Sequence, residues 1–335
     1  MGSAVSAHTE PDPTGGSAAA VEPGATIESL LRRCSFPPVG SSVTCAVSGG
    51  ADSSALLVLA VAAGLDVTAV HVDHGLRPGS AEEALVVEDL AHRLGARFRA
   101  ETSPVAPGPD LEARARTARH AAVGPDALFG HTADDQAETV LLRLLRGTGP
   151  AGLAAMTARQ HPILALRRSE THDLCRELRI DVVVDPTNDS WDHRRNRVRH
   201  RVLPLLDEIA ERDVVPLLCR LAGLAADQTA LVDSLAADLD PTDAAVLTAA
   251  PEPLASSAVR RWWRDVTGSG LGPDAAALQR ILDVAAGRAI GCDVVGGWRV
   301  ARSAGRLRLV APAGGAHLRP DGSGRPTGGA PVPGH

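Results

Sequence analysis

Three short stretches of this chain carry the residue types that do chemistry. Ser48-Gly49-Gly50-Ala51-Asp52-Ser53 follows the apolar run Val43 to Val47 and precedes the helix-compatible run Ala55 to Ala63. A glycine-bearing turn at a strand-to-helix junction can fold tightly round an anion, and the helix that follows adds unpaired amides and the positive end of its dipole. The spacing therefore predicts a phosphate site, with hydroxyl donors from Ser48 and Ser53 and with Asp52 placed for a divalent ion accompanying the phosphates. No Gly-x-Gly-x-x-Gly follows this strand and no Gly-Lys-Ser/Thr occurs, because all 34 basic residues are arginine. In the second stretch, His131-Thr132-Ala133-Asp134-Asp135-Gln136-Ala137-Glu138, Asp135 and Glu138 stand three apart on one helical face. Two carboxylates that close favour a cation between them, either Mg²⁺ or an ammonium. The third, Arg194-Arg195-Asn196-Arg197-Val198-Arg199-His200-Arg201, follows Asp185-Pro186-Thr187-Asn188-Asp189 and holds five arginines, a density that suits phosphates and an RNA backbone. A smaller polar group, His71-Val72-Asp73-His74-Gly75-Leu76-Arg77, ends another apolar run and can line a nucleotide pocket.

These groups need a scaffold that brings strand ends together. Strand-like runs at 43–47, 67–72, 97–100 and 128–130 alternate with helical patterns at 54–63, 80–94, 111–123 and 134–145. Ser80-Ala81-Glu82-Glu83 reads as a capping box. Strands alternating with helices imply a parallel sheet covered on both faces, an α/β fold with ligands at the strands' C-terminal ends. Beyond Leu203 the pattern turns helical and then closes with short strands near 293–295, 298–301 and 306–310. The expected organisation is a tail over 1–24, a nucleotide-binding catalytic domain over 25–214, a smaller helical/α+β domain over 215–311 and a tail over 312–335. Both tails, rich in Gly, Pro, Ser and Ala, are expected to be disordered.

Composition narrows the possibilities. A chain of 335 residues with 44% hydrophobic content buries real cores. No uninterrupted apolar run reaches membrane-helix length, so the expectation is a cytoplasmic protein with no membrane partner. Five scattered cysteines (34, 45, 175, 219 and 292) suggest neither a disulfide framework nor a Cys-x-x-Cys site. The net charge is −6, yet residues 254–311 hold nine arginines against four acids, a basic patch on an acidic protein. Within it, Trp262 and Trp263 beside Arg260, Arg261 and Arg264 can either stack on bases or pack a helix.

Taken in order, these motifs resemble the tRNA(Ile)-lysidine synthetase family of the PP-loop (N-type ATP pyrophosphatase, adenine nucleotide alpha hydrolase-like) superfamily. The resemblance runs from about Ser42 to Pro204 and, more weakly, from Leu254 to Val310. It rests on Ser48 to Ser53, His71 to Arg77, Leu111-Glu112-Ala113-Arg114-Ala115-Arg116, His131 to Thr139, Arg146 to Leu153 and Asn196-Arg197-Val198-Arg199. Thr148 stands where a third glycine is common. The resemblance implies that ATP, with Mg²⁺ at Asp52, activates C2 of the wobble cytidine of a CAU-anticodon tRNA(Ile), and that free L-lysine then displaces AMP. It implies that residues 48–53 hold the phosphates, that Asp135 and Glu138 hold the lysine, and that Arg114 and His131 neighbour the activated base or phosphate. Arg195, Asn196, Arg197 and Arg199 would meet RNA, and a homodimer is compatible. The residues leave open whether His131 or an acid serves as base. Rival readings are a thiolase of the same superfamily, which would rely on cysteine pairs or a cluster, an amidotransferase-type synthetase, which would need a glutaminase, and a non-catalytic nucleotide- or RNA-binding module.

Overall fold

The computed structural model describes residues 24–73, 75, 80–104, 111–183, 193–268 and 272–312. Residues 1–23 and 313–335 of the two tails, His74, Leu76 and Arg77 of the polar group, and Asp185 to Asp189 lie outside the described residues. The chain divides between Asp227 and Gln228 into two compact units.

The N-terminal unit is built on four strands, β1 (Ser42–Ala46), β2 (Asp66–Asp73), β3 (Arg97–Thr102) and β4 (Leu128–Phe129), in the order β3-β2-β1-β4. All pairings are parallel, with Ser42 opposite Asp66 and Cys45 opposite Leu128. The helices α1 (Ala25–Leu31), α2 (Ala51–Ala62), α3 (Ser80–Arg93), α4 (Leu111–Val123) and α5 (Ala133–Leu144) come at the expected places. Beyond its first turn, helix α2 is apolar all round, and residues Ser53 to Ala60 are all buried. It packs on β1 and β2 and against α1 and α7 (Arg168–Glu177). A short α6 (Pro150–Leu153) lies between α5 and α7. Helix α7 was not evident in the sequence: its inner stripe is Thr171, Leu174, Cys175 and Leu178, and the first of these is polar. The chain then forms α8 (Arg194–Arg197), a π turn (Val198–Val202) and α9 (Leu203–Ala210), and enters α10 (Val215–Leu235). Among the described residues α10 alone is long and apolar enough to cross a membrane. It carries Arg220, Asp227 and Asp233, however, and Asp233 accepts a hydrogen bond from the Ser257 hydroxyl.

The C-terminal unit contains α11 (Ala244–Ala249), α12 (Glu252–Thr267), α13 (Ala275–Ala285) and an antiparallel sheet of β5 (Gly291–Asp293), β6 (Arg299–Ser303) and β7 (Arg306–Val310). The first of its strands starts earlier than the apolar run suggested, because a 3₁₀ turn with Gly296 at φ +72° occupies Val295–Gly297. Asp243 and Asp274 cap α11 and α13 through their carboxylates. Leu247, Ala258, Trp263, Ile281, Val284 and Val300 form the core. Trp263 is buried and meets Trp298 edge-on, so it serves packing, while Trp262 is only half-buried.

Candidate active site

The strand order places β1 at the point where the chain turns from building toward β3 to building toward β4, the position at which parallel sheets bind ligands beyond their carboxyl ends. A cleft of about 490 Å³ opens there. Its walls come from the β1 end and the first turn of α2 (Ser48 to Ser53), from Phe129 to His131, and from Asp135, Arg168 and Arg199.

The phosphate-loop motif is half turn and half helix. Gly49 takes φ +86°, which a side chain would strain, and a Cβ there would also lie 2.7 Å from Val183. Gly50 is the N-cap of α2 and offers no side-chain cap, so the amides of the first helical turn face the cleft without an intrahelical acceptor. The serine hydroxyls knit the turn. Ser48 N–H donates to Ser53 Oγ at 3.2 Å, and Ser53 Oγ–H donates to the Gly50 carbonyl at 2.9 Å. Across the cleft floor, Gly130 is pressed so closely on α2 that a Cβ would lie 2.6 Å from the Asp52 carbonyl oxygen. Asp52 projects from the first turn, where the helix dipole favours a carboxylate. It accepts a hydrogen bond from Thr171 Oγ1 and lies 3.5 Å from Arg168 Nε. Burial nevertheless pushes its carboxyl above the usual range.

Behind the cleft lies a compact ion cluster. Thr132 opens α5, and its N–H and hydroxyl both donate to Asp135 Oδ2, at 2.9 and 3.1 Å. Asp135 Oδ1 accepts from Arg168 at 2.8 Å and from Arg195 at 2.9 Å. Glu138 is fully buried and accepts from Arg168 at 3.2 Å, Arg195 at 2.5 Å and Arg199 at 2.7 Å. Burial works to raise the Asp135 pKa, but the guanidinium groups of Arg168 and Arg195, helped by His131 and the Thr132 amide, overcome it and hold the carboxyl at about 2. Asp135 faces the cleft, whereas Glu138 stands behind it and reaches it through the arginines.

The structure thus brings Ser48, Gly50, Ala51, Asp52, Ser53, His131, Asp135 and Arg199 to one cleft. Arg195 and Arg199 turn inward onto the carboxylates, while Arg194, Arg197 and Arg201 are exposed and Asn196 is buried. Arg114 is exposed on α4, and the α4 arginine that lines the cleft is Arg119. His71 is buried at the β2 end, with Nδ1 3.0 Å from the Val47 carbonyl, so it braces the strand ends. Arg168, Thr171 and Arg119 were not singled out in the sequence. Arg168 sits in a polar segment with no family signature to flag it, and only its contacts to partners 30 and 33 residues upstream reveal its place.

Fold and site together define a PP-loop ATP-using enzyme. The PP-loop domain family matches residues 25–206, and the TilS substrate binding domain family matches residues 243–308. The tRNA(Ile)-lysidine synthase of Nocardia farcinica is 40% identical over 300 residues, covering 82% of this chain and 93% of that one. The same enzyme of Corynebacterium glutamicum is 35% identical over 297 residues, covering 84% and 94%. Among solved structures, the U34-tRNA thiolase NcsA from Methanococcus maripaludis, with its [4Fe-4S] cluster, aligns at a TM-score of 0.50 with 14% identity, over 60% of this chain and 78% of that one; this likeness concerns the fold alone. The chain belongs to the tRNA(Ile)-lysidine synthase family, a family of ligases.

Proposed function

We propose that this protein uses ATP to ligate free L-lysine to C2 of the wobble cytidine in tRNA(Ile) bearing a CAU anticodon, releasing pyrophosphate and AMP. The observation that carries the reading is the single cleft at the sheet's turning point, where an uncapped helix N-terminus, Asp52, Asp135 and Arg168 converge. In the first step the C2 oxygen attacks the α-phosphorus of ATP. The amides of Ala51, Asp52 and Ser53 and the turn around Gly49 receive the pyrophosphate as negative charge builds on it. Asp52 fits Mg²⁺: one carboxylate with phosphate oxygens and water suffices for that ion, and a divalent charge beside it would offset the burial that disfavours ionised Asp52. Bound there, Mg²⁺ would neutralise phosphate charge. In the second step the lysine amine forms a bond to C2 and AMP leaves. Asp135, ionised and on the cleft wall, attracts the ammonium, and Arg168 beside it sits between the phosphate and lysine ends of the cleft. The exposed edge of Arg194, Arg197 and Arg201, on α8 and the π turn after it, is the RNA-facing side, and the arginine-rich segment 254–311 supplies a second contact. The reading places the protein in the cytoplasm with its tRNA.

The test is transfer of labelled lysine, with ATP and Mg²⁺, onto tRNA(Ile) and tRNA(Met) transcripts that both carry CAU. Label on tRNA(Ile) alone, lost in Asp135→Asn, is the expected result. ATP cleavage without lysine transfer to either RNA overturns the reading.

A further inference from the structure

The cleft wall contains a contact between two imidazoles that the reaction as written does not use. His131 Nδ1 lies 3.1 Å from His161 Nδ1, and the rings meet edge-on at 84° with centroids 4.7 Å apart. His131 lines the cleft, and His161 is buried behind it at 6% exposure. His161 is held from both sides by its neighbours in sequence. Phe129 N–H donates to the Gln160 carbonyl at 2.8 Å, and Ser35 N–H donates to the Pro162 carbonyl at 2.9 Å. Further upstream, the Gln136 side chain of α5 makes two hydrogen bonds to the backbone of Met156. The backbone that carries the second ring is thus tied to β4, to Ser35 and, through Met156, to the helix that begins at Ala133.

Two nitrogens at that separation form a hydrogen bond only if one carries the proton and the other presents its lone pair. The tautomers of the two rings are therefore coupled. If His161 donated, neutral His131 would carry its own proton on Nε2 and could offer the cleft only a donor. If His131 donates, its Nε2 is bare and can accept a proton, after which the Nδ1 bond to His161 persists and backs the imidazolium charge. Asp135, the acid on the same wall, already accepts from two arginines and from the Thr132 amide and hydroxyl.

We propose that His161 is the positioning residue of the site: its Nδ1 accepts the Nδ1 proton of His131, so that His131 presents a bare Nε2 to the lysine ammonium. The inference rests on the lysine-ligating reading. As the N–C2 bond forms, the C2–O bond to the adenylate breaks and its electron pair leaves with AMP. Of the two protons the ammonium must lose, His131 Nε2 takes the first and water the second. Among the described residues, the charged and titratable groups that line the cleft with His131 are Asp52 of α2, Arg119 of α4, Asp135 of α5, Arg168 and His172 of α7, and Arg199, and His120 packs on Phe129. All remain in place when only His161 is changed.

The experiment follows lysine transfer across pH 6 to 9 in full-length wild type, His161→Leu, His161→Asn and His161→Asp. Losing the acceptor in His161→Leu lowers kcat about tenfold or more, leaves the KM for ATP unchanged and moves the acid limb to lower pH, because an unsupported imidazolium gives up its proton more readily. The carboxylate of His161→Asp moves the limb the opposite way, and the amide oxygen of His161→Asn restores most of kcat. An acid limb that stays put in all three, or moves the same way in Leu and Asp, overturns the proposal. Nitrogen-15 NMR of the histidine rings reads the tautomers without turnover. It should find His131 protonated on Nδ1 and His161 on Nε2, and the reverse assignment also overturns it. Wild type that transfers no lysine at all would instead remove the lysine reading, and the tautomer assignment would still judge the ring pair.

Discussion

Around the cleft of the N-terminal unit, arginine and carboxylate meet inside the protein; in the C-terminal unit they meet in water. Glu138 has no exposed surface and Asp135 keeps a tenth of its side chain in solvent, yet three guanidinium groups converge on them. Arg299 and Asp293, at the same kind of distance, leave 48% and 80% of their side chains exposed. The interior of the C-terminal unit is given over to Ile281, Val284, Val300 and Trp263. The same two residue types therefore do different work. Desolvating ion pairs costs about as much as their attraction returns, so a buried cluster is a poor way to add stability but a precise way to hold charges at fixed points. An apolar core is the reverse: it contributes stability and offers no chemistry.

That contrast can be broken or sharpened by mutation. Glu138→Ala leaves three guanidinium groups with Asp135 alone between them. It should destabilise the N-terminal unit by roughly 3–5 kcal/mol, read by denaturant unfolding, and abolish lysine transfer; a loss below about 1 kcal/mol would mean that solvent reaches the cluster. Ile281→Ala, at a fully buried apolar site, should cost roughly 2–5 kcal/mol while tRNA-independent ATP binding is retained. Acid should act more strongly on the first region than on the second, whose lowered carboxylates, Asp240 and Asp283, stand in solvent. Asp135 is held at about 2 against an unfolded value near 3.8, so its contribution is complete above pH 4 and fades as pH falls toward 2. A thermal-stability profile over that window, flattened in Asp135→Asn, checks it. The smallest effect belongs to Asp293→Ala, whose exposed pair should change the melting temperature by no more than the error of the measurement.

What could be read in advance follows the same division. The turn at Ser48 to Ser53 was legible because it is local: six consecutive residues join an apolar strand to an apolar helix. The parallel sheet was legible from the alternation of strand and helix patterns. The inward turn of Arg195 and Arg199 was not, since an i, i+4 arginine pair looks the same facing RNA or facing Glu138, and the deciding partner lies about 60 residues away. Helix α7 escaped notice because Thr171 interrupts its apolar stripe, and Thr171 is buried where it reaches Asp52. His161 had no motif of its own and acquires meaning only from its distance to His131.

The sheet's two borders have a bearing on solubility. Among the described residues, β4 at one border pairs over only two residues, and at the other β3 presents Arg97, Arg99 and Glu101 to its surroundings. Another chain seeking to add a strand would find too little backbone on the first side and a row of charges on the second. Among the described residues, the brevity of β4 leaves little template for strand-to-strand aggregation.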